Sequence, residues 1–124
     1  MSQFVESLHE VFERMGPIEA RRMFGGHGIY HDGRMFALVA NDTLYLKADA
    51  DTMAEFEKRG LPAFGYEREG RRTEMSYRLA PEEIFEDREE AIRWGRSAWE
   101  AALRAAAPKR ARRPAAKRTK GPAR

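Results

Sequence analysis

Three stretches of this sequence carry residue types able to do chemistry. Gly25-Gly26-His27-Gly28, followed by His31 and Asp32, joins a glycine-rich segment to two imidazoles. Successive backbone N–H groups at such glycines can cradle a phosphate, and imidazoles can hold a metal or move a proton. Glu82, Glu83, Glu86, Asp87, Glu89 and Glu90 form a carboxylate run. Two carboxyls whose pKa values are pushed apart in one cleft can act as acid and base. Lys109, Arg110, Arg112, Arg113, Lys117, Arg118, Lys120 and Arg124 form the third group, a block of cations with no acid among them.

Each group has a plainer role to be weighed against. The glycines lie between two strand-like runs with no Lys-Ser/Thr and no helix start behind them, so neither nucleotide-binding fingerprint applies. Glycine there is expected to serve a sharp bend or bulge. His27 and His31, four apart on one strand, sit ~13 Å from each other at 3.3 Å per residue, too far for one metal. Asp32 belongs to a turn. Acidic residues gather at helix starts because the helix dipole favours them there, and that accounts for the carboxylate run. Ser2, Ser7, Ser76 and Ser97 lack a Gly-x-Ser-x-Gly context. With no cysteine there is no disulfide, thiolate metal site or cysteine nucleophile. No residue is therefore assigned to catalysis, to a cofactor or to a metal.

The cation block stands on firmer physics. The chain carries 23 Lys and Arg against 20 Asp and Glu; eight of the 23 lie beyond residue 107, leaving 15 against 20 before it. A body near −5 thus carries a tail near +8. A polycation gains free energy on nucleic acid by releasing condensed counterions. This one has no aromatic residue to stack bases, so it should not read sequence. The plainer alternative is a solubilising tail. Ala, Lys, Arg and Pro dominate 105–124, which leaves nothing large to bury, so 108–124 is expected to be disordered.

The remaining elements must be those of a folded body over 1–107. Phe4, Leu8, Val11, Phe12 and Met15 recur at helical spacing, and Gly16-Pro17 ends that helix. Residues 20–48 read as a β-meander: Arg21 to Phe24, then Ile29 to His31, then the apolar run Met35 to Ala40, then Thr43 to Lys47. Asp32-Gly33 and Asn41-Asp42 are its turns, the first a dipeptide that tolerates positive φ at both positions. A short helix is expected over Thr52 to Arg59, capped by Asp51. A second hairpin turns at Glu69-Gly70 with Phe64 and Tyr66 before it and Met75, Tyr77 and Leu79 after. Asp87 and Glu90 have capping-box spacing at the head of a long helix. About 100° per residue puts Trp94, Ala98, Ala91, Ala102, Gly95 and Trp99, with Ala105, Ala106, Ile92 and Leu103, on its apolar half. No run reaches the ~20 residues of a membrane span, and the N-terminus lacks a signal-peptide layout, so a cytoplasmic protein is expected.

Arg22-Met23-Phe24-Gly25-Gly26-His27-Gly28-Ile29-Tyr30, then Gly33-Arg34-Met35-Phe36-Ala37-Leu38-Val39, then Leu44-Tyr45-Leu46-Lys47, resembles the N-terminal domain of the TfoX/Sxy family. The likeness extends over about residues 4–105. It implies an α+β domain, an antiparallel sheet packed against N- and C-terminal helices, in proteins associated with bacterial DNA-uptake competence. It implies no catalytic residue. Longer family members carry a second helical domain where this chain has its basic tail.

The resulting expectation is a non-enzymatic TfoX-like regulatory domain acting through a protein partner, with a homodimer allowed and no membrane. The tail would add sequence-independent nucleic-acid affinity. Two alternatives are a small-molecule-binding domain or cryptic enzyme using the Gly25–His31 segment, and a purely structural protein-interaction domain. Convergent polar groups near His27 and Tyr30 would favour the former, and a contact through Trp94 or a sheet edge the latter.

Overall fold

The computed structural model describes residues 3–23 and 25–106. The tail assigned to 108–124, with its eight cations, lies outside the described residues. Helix α1, Gln3–Val11, is followed by strands β1 Glu19–Met23, β2 Gly26–His31, β3 Arg34–Ala40 and β4 Thr43–Lys47. Helix α2, Met53–Lys58, leads to β5 Ala63–Arg68 and β6 Arg71–Leu79. A 3₁₀ turn, Glu82–Phe85, precedes the long helix α3, Arg88–Ala106. All six strands form one antiparallel sheet in the order β1-β2-β3-β4-β6-β5. The architecture is the expected α+β one, with the second hairpin joined to the meander through β6.

Turn chemistry sets the hairpins. Asp32 and Gly33, Asn41 and Asp42, and Glu69 and Gly70 all have positive φ, the requirement of two-residue turns whose twist matches that of the strands. The sheet then has two unlike faces. Leu44 and Leu46 of β4 oppose Val39 and Ala37 of β3, and all four are buried in one core with Ile29, Val5, Leu8, Phe12, Trp94 and Ala98. That face is covered by α1 and α3.

The apolar run of β3 is explained by a bulge. Ile29 pairs with Ala37 but Tyr30 with Met35, so Phe36 is the extra residue and it shares the core face with Ala37. Both are fully buried, and Phe36 meets the Phe12 ring edge-on at 5.3 Å between centroids. Met35 and Leu38 belong to the opposite face, where Leu38 pairs with Tyr45.

Three local expectations are corrected. Helix α1 ends at Val11, and Glu13 N–H bonds to the Glu10 carbonyl in a tightened turn; Phe12 and Met15 stay buried beyond the helix proper. Asp51 does not cap α2, whose N-cap is Thr52 without a side-chain cap bond. The carboxylate at work there is that of Asp49, which accepts the Asp51 N–H at 3.0 Å and two bonds from Arg104. Arg104 holds the Asp49 carboxyl below the ordinary aspartate range. On α3, Leu103 is 39% exposed while Ala101 is buried. The buried arc is centred near Ala98, about 140° from Leu103 and about 60° from Ala101 at 100° per residue. Ala105 points toward that arc but, with Ala106, is exposed at the last turn.

Candidate functional site

From Gly26 onward the glycine segment is strand. Gly26, His27 and Gly28 pair with Met23, Arg22 and Arg21 of β1, and His27 and Gly28 pair also with Val39 and Leu38 of β3. His27 and Gly28, paired on both sides, have their backbone amides committed to the ladder, while Gly25 lies in the turn before β2. The glycines answer to close approach. A Cβ on Gly26 would fall 2.1 Å from the Val39 carbonyl oxygen, and one on Gly28 would fall 3.0 Å from the sulfurs of Met23 and Met35.

The histidines serve packing and position. His31 Nδ1 bonds the Pro17 carbonyl at 2.8 Å, its ring meets Trp99 at 5.2 Å, and Trp99 Nε1 donates to the His31 carbonyl at 2.9 Å. His27 Nε2 is buried with no hydrogen-bond partner among the described residues. Among the described residues no three His, Asp or Glu side chains gather at metal-binding range.

Four of the six carboxylates in the run, Glu83, Asp87, Glu89 and Glu90, serve caps, hydrogen bonds or ion pairs. Asp87 Oδ1 accepts the N–H groups of Glu89 and Glu90 at the start of α3, which is half of the expected capping box. Glu90 does not return to Asp87; it accepts from Arg93 and from Trp94 Nε1. Glu89 pairs with Arg14 at 3.1 Å, and Glu83 pairs with Arg59. The Glu83 carboxyl lies below its usual range, first through its own backbone amide and then through Arg59. Trp94 is 2% exposed and packs on Phe56 at 5.2 Å, which removes it as an interface residue.

The sheet's other face holds a different set. Tyr45 and Lys47 pair with Leu79 and Tyr77, so these four share the face opposite Leu44 and Leu46. The Tyr45 ring contacts Phe64 at 4.9 Å, and Arg21 stacks over Tyr30 at 4.4 Å. Where this face meets the last turn of α3 lies an open groove of about 320 Å³. Tyr30, Arg34, Met35, Lys47 and Tyr77 line its sheet side, and Ala102, Ala105 and Ala106 face them. Lys47 Nζ lies 5.2 Å from the Tyr77 ring centre and donates to Ser76 Oγ. Tyr77 is 7% exposed, and burial, with Tyr30 nearby, pushes its hydroxyl pKa up to about 12.

Tyr30 thus joins a polar constellation, though not with His27. The sequence reading missed this groove because it depends on β6 lying beside β4 across an intervening helix and strand. One available signal was the Lys47 and Tyr77 pair at the ends of two alternating runs. Among the described residues no helix is long and apolar enough to cross a membrane.

Comparison with known proteins adds a lineage to this geometry. The family described as the TfoX N-terminal domain matches residues 10–102. The chain is 33% identical over 64 residues to the DNA transformation protein TfoX1 of Aliivibrio fischeri, covering 52% of this chain and 31% of that protein. It is 27% identical over 96 residues to Protein Sxy of Escherichia coli, covering 77% of this chain and 46% of that one. The chain therefore spans less than half the length of either curated relative.

Proposed function

This chain belongs to the TfoX N-terminal domain family, and from that premise we propose that it is a non-enzymatic regulatory domain of DNA uptake, acting through a protein partner. The observation that carries the reading is the match to the family over 10–102, together with likeness to a protein named for DNA transformation. The placement of the sequence's chemical residues supports the non-enzymatic part. Among the described residues His31, Glu83, Asp87, Glu89 and Glu90 are engaged in packing, caps and ion pairs.

In this reading Lys109, Arg110, Arg112, Arg113, Lys117, Arg118, Lys120 and Arg124 add sequence-independent affinity for nucleic acid. The reading rests on the +8 carried after residue 107. Removing the gene from its native host and scoring natural transformation and transcript levels tests the regulatory role. A loss of transformation restored by the full chain is the expected result; unchanged transformation and unchanged transcripts overturn it. Fluorescence anisotropy on two unrelated duplexes across a salt series tests the tail. A log–log slope of about −3 to −5 is expected, fewer phosphates than the eight cations could neutralise at about −0.9 each. Strong discrimination between the duplexes overturns the tail assignment.

A further inference from the structure

The groove between the helix-free face and the end of α3 inverts the charge of the body around it. The portion before residue 108 is near −5, yet no carboxylate lines the groove, and both its charged groups, Arg34 and Lys47, are cations. Five arginines outside it, Arg14, Arg59, Arg88, Arg93 and Arg104, pair with carboxylates, and Arg21, stacked over Tyr30, pairs with Glu19. Arg34 is exposed and has no carboxylate partner among the described residues. Its neighbours complete a recognisable chemistry. Half-buried Tyr30 offers aromatic surface and a hydroxyl, while Met35 and the small α3 alanines offer an apolar wall. At about 320 Å³ the groove is at the small end of ligand sites, which run from about 300 Å³ upward. One base with its phosphate is of that order, and a double helix is not.

We propose that this groove seats one nucleotide of a single-stranded nucleic acid, its base against Tyr30 and Met35 and its phosphate between Arg34 and Lys47. Aromatic surface beside a basic track is how proteins hold single strands without reading sequence. The groove's α3 wall ends at Ala106, and Lys109 follows three residues later, no more than about 11 Å of extended chain away. The inference rests on the reading that the chain meets nucleic acid, but it moves strand recognition from the tail to the body.

Anisotropy of the full chain with a labelled twelve-nucleotide thymidine strand, the matching duplex and thymidine monophosphate as competitor tests it. The strand is expected to bind several-fold more tightly than the duplex at equal salt. Arg34→Gln with Lys47→Gln should weaken strand binding about tenfold and leave duplex binding within twofold. Arg34→Gln alone, at an exposed site, should give part of that loss and guards against misfolding of the double variant. Replacing the eight tail cations with Gln should collapse duplex binding while strand binding keeps its dependence on Arg34 and Lys47. Equal affinity for strand and duplex, or no effect of the groove substitutions, overturns the proposal; if the tail replacement then abolishes all binding, the tail reading survives without it. Duplex binding that persists after tail replacement sinks the tail reading alone. Thymidine monophosphate competing as strongly as the strand, mole for mole, makes a free nucleotide the ligand and overturns the strand.

Discussion

The two faces of the sheet are built for different ends. On the covered face Ile29, Phe36, Ala37, Val39, Leu44 and Leu46 meet two helices in a core without charge, and arginines around its rim are closed by carboxylates. On the other face Tyr45, Tyr77, Met35 and Lys47 stand together, and where it meets the end of α3 the two charged groups lining the groove, Arg34 and Lys47, are both cations. Stability accounts for the first arrangement completely. Packing also buries Leu38 and Tyr77 on the second face, but it does not require the two cations of the groove, and that is where binding is to be sought.

The contrast can be broken by substitution. Phe36→Ala, at the bulge and fully buried against Phe12, should cost about 3–5 kcal/mol, read from denaturant midpoints. Arg34→Ala, at the exposed start of β3 beside the groove, should stay within about 0.5 kcal/mol. Comparable losses from the two would erase the distinction.

The next effect belongs to the open face itself. Tyr77 has a folded pKa pushed up to about 12, so the folded state keeps a proton that the unfolded chain gives up near pH 10. Its contribution is intact below pH 10 and is lost as pH rises through about 12. The loss amounts to about 2–3 kcal/mol, from two pKa units at about 1.4 each. Stability measured between pH 9 and 12 should fall more steeply in the native protein than in Tyr77→Phe; parallel curves would show that Tyr77 is not buried as described.

Gly26→Ala tests the join between the faces, because its Cβ strikes the Val39 carbonyl. A destabilisation of about 1–3 kcal/mol is expected with strand binding preserved in the folded fraction. Unchanged stability with binding abolished would make the glycine segment a ligand site after all. The smallest effect is expected from deleting 108–124. The core is drawn from Val5 to Ala102, so melting temperatures should agree within a few degrees, and failure of 1–107 to melt cooperatively would refute this.

Legibility in the sequence followed the range of the interaction. Asp32-Gly33 announces its turn because both φ angles are local properties, and α3 announces its helix through spacing alone. The Phe36 bulge was hidden, since a continuous apolar run reads the same whether or not one residue is doubled onto the core side. The spacing puts Leu103 on the apolar half and leaves Ala101 out of it, because periodicity fixes an arc but not its centre, which the sheet decides. The groove needed five elements, β2, β3, β4, β6 and the end of α3, with β4 and β6 paired across some thirty residues, as with Tyr45 and Leu79. No local rule supplies that pairing.

The place of β6 between β4 and β5 has a consequence during synthesis. The chain emerges N-terminal end first, so β1 to β4 can pair by short turns as soon as Lys47 is free. β4 then waits with one open edge until residues 71–79 appear, and Leu44 and Leu46 wait for the α3 residues that help cover them. An unpaired edge beside uncovered leucines is the template on which chains associate wrongly. The hazard for this protein therefore falls in the interval between Lys47 and Ala106 on the ribosome, and faster elongation through α2 and β5 shortens it.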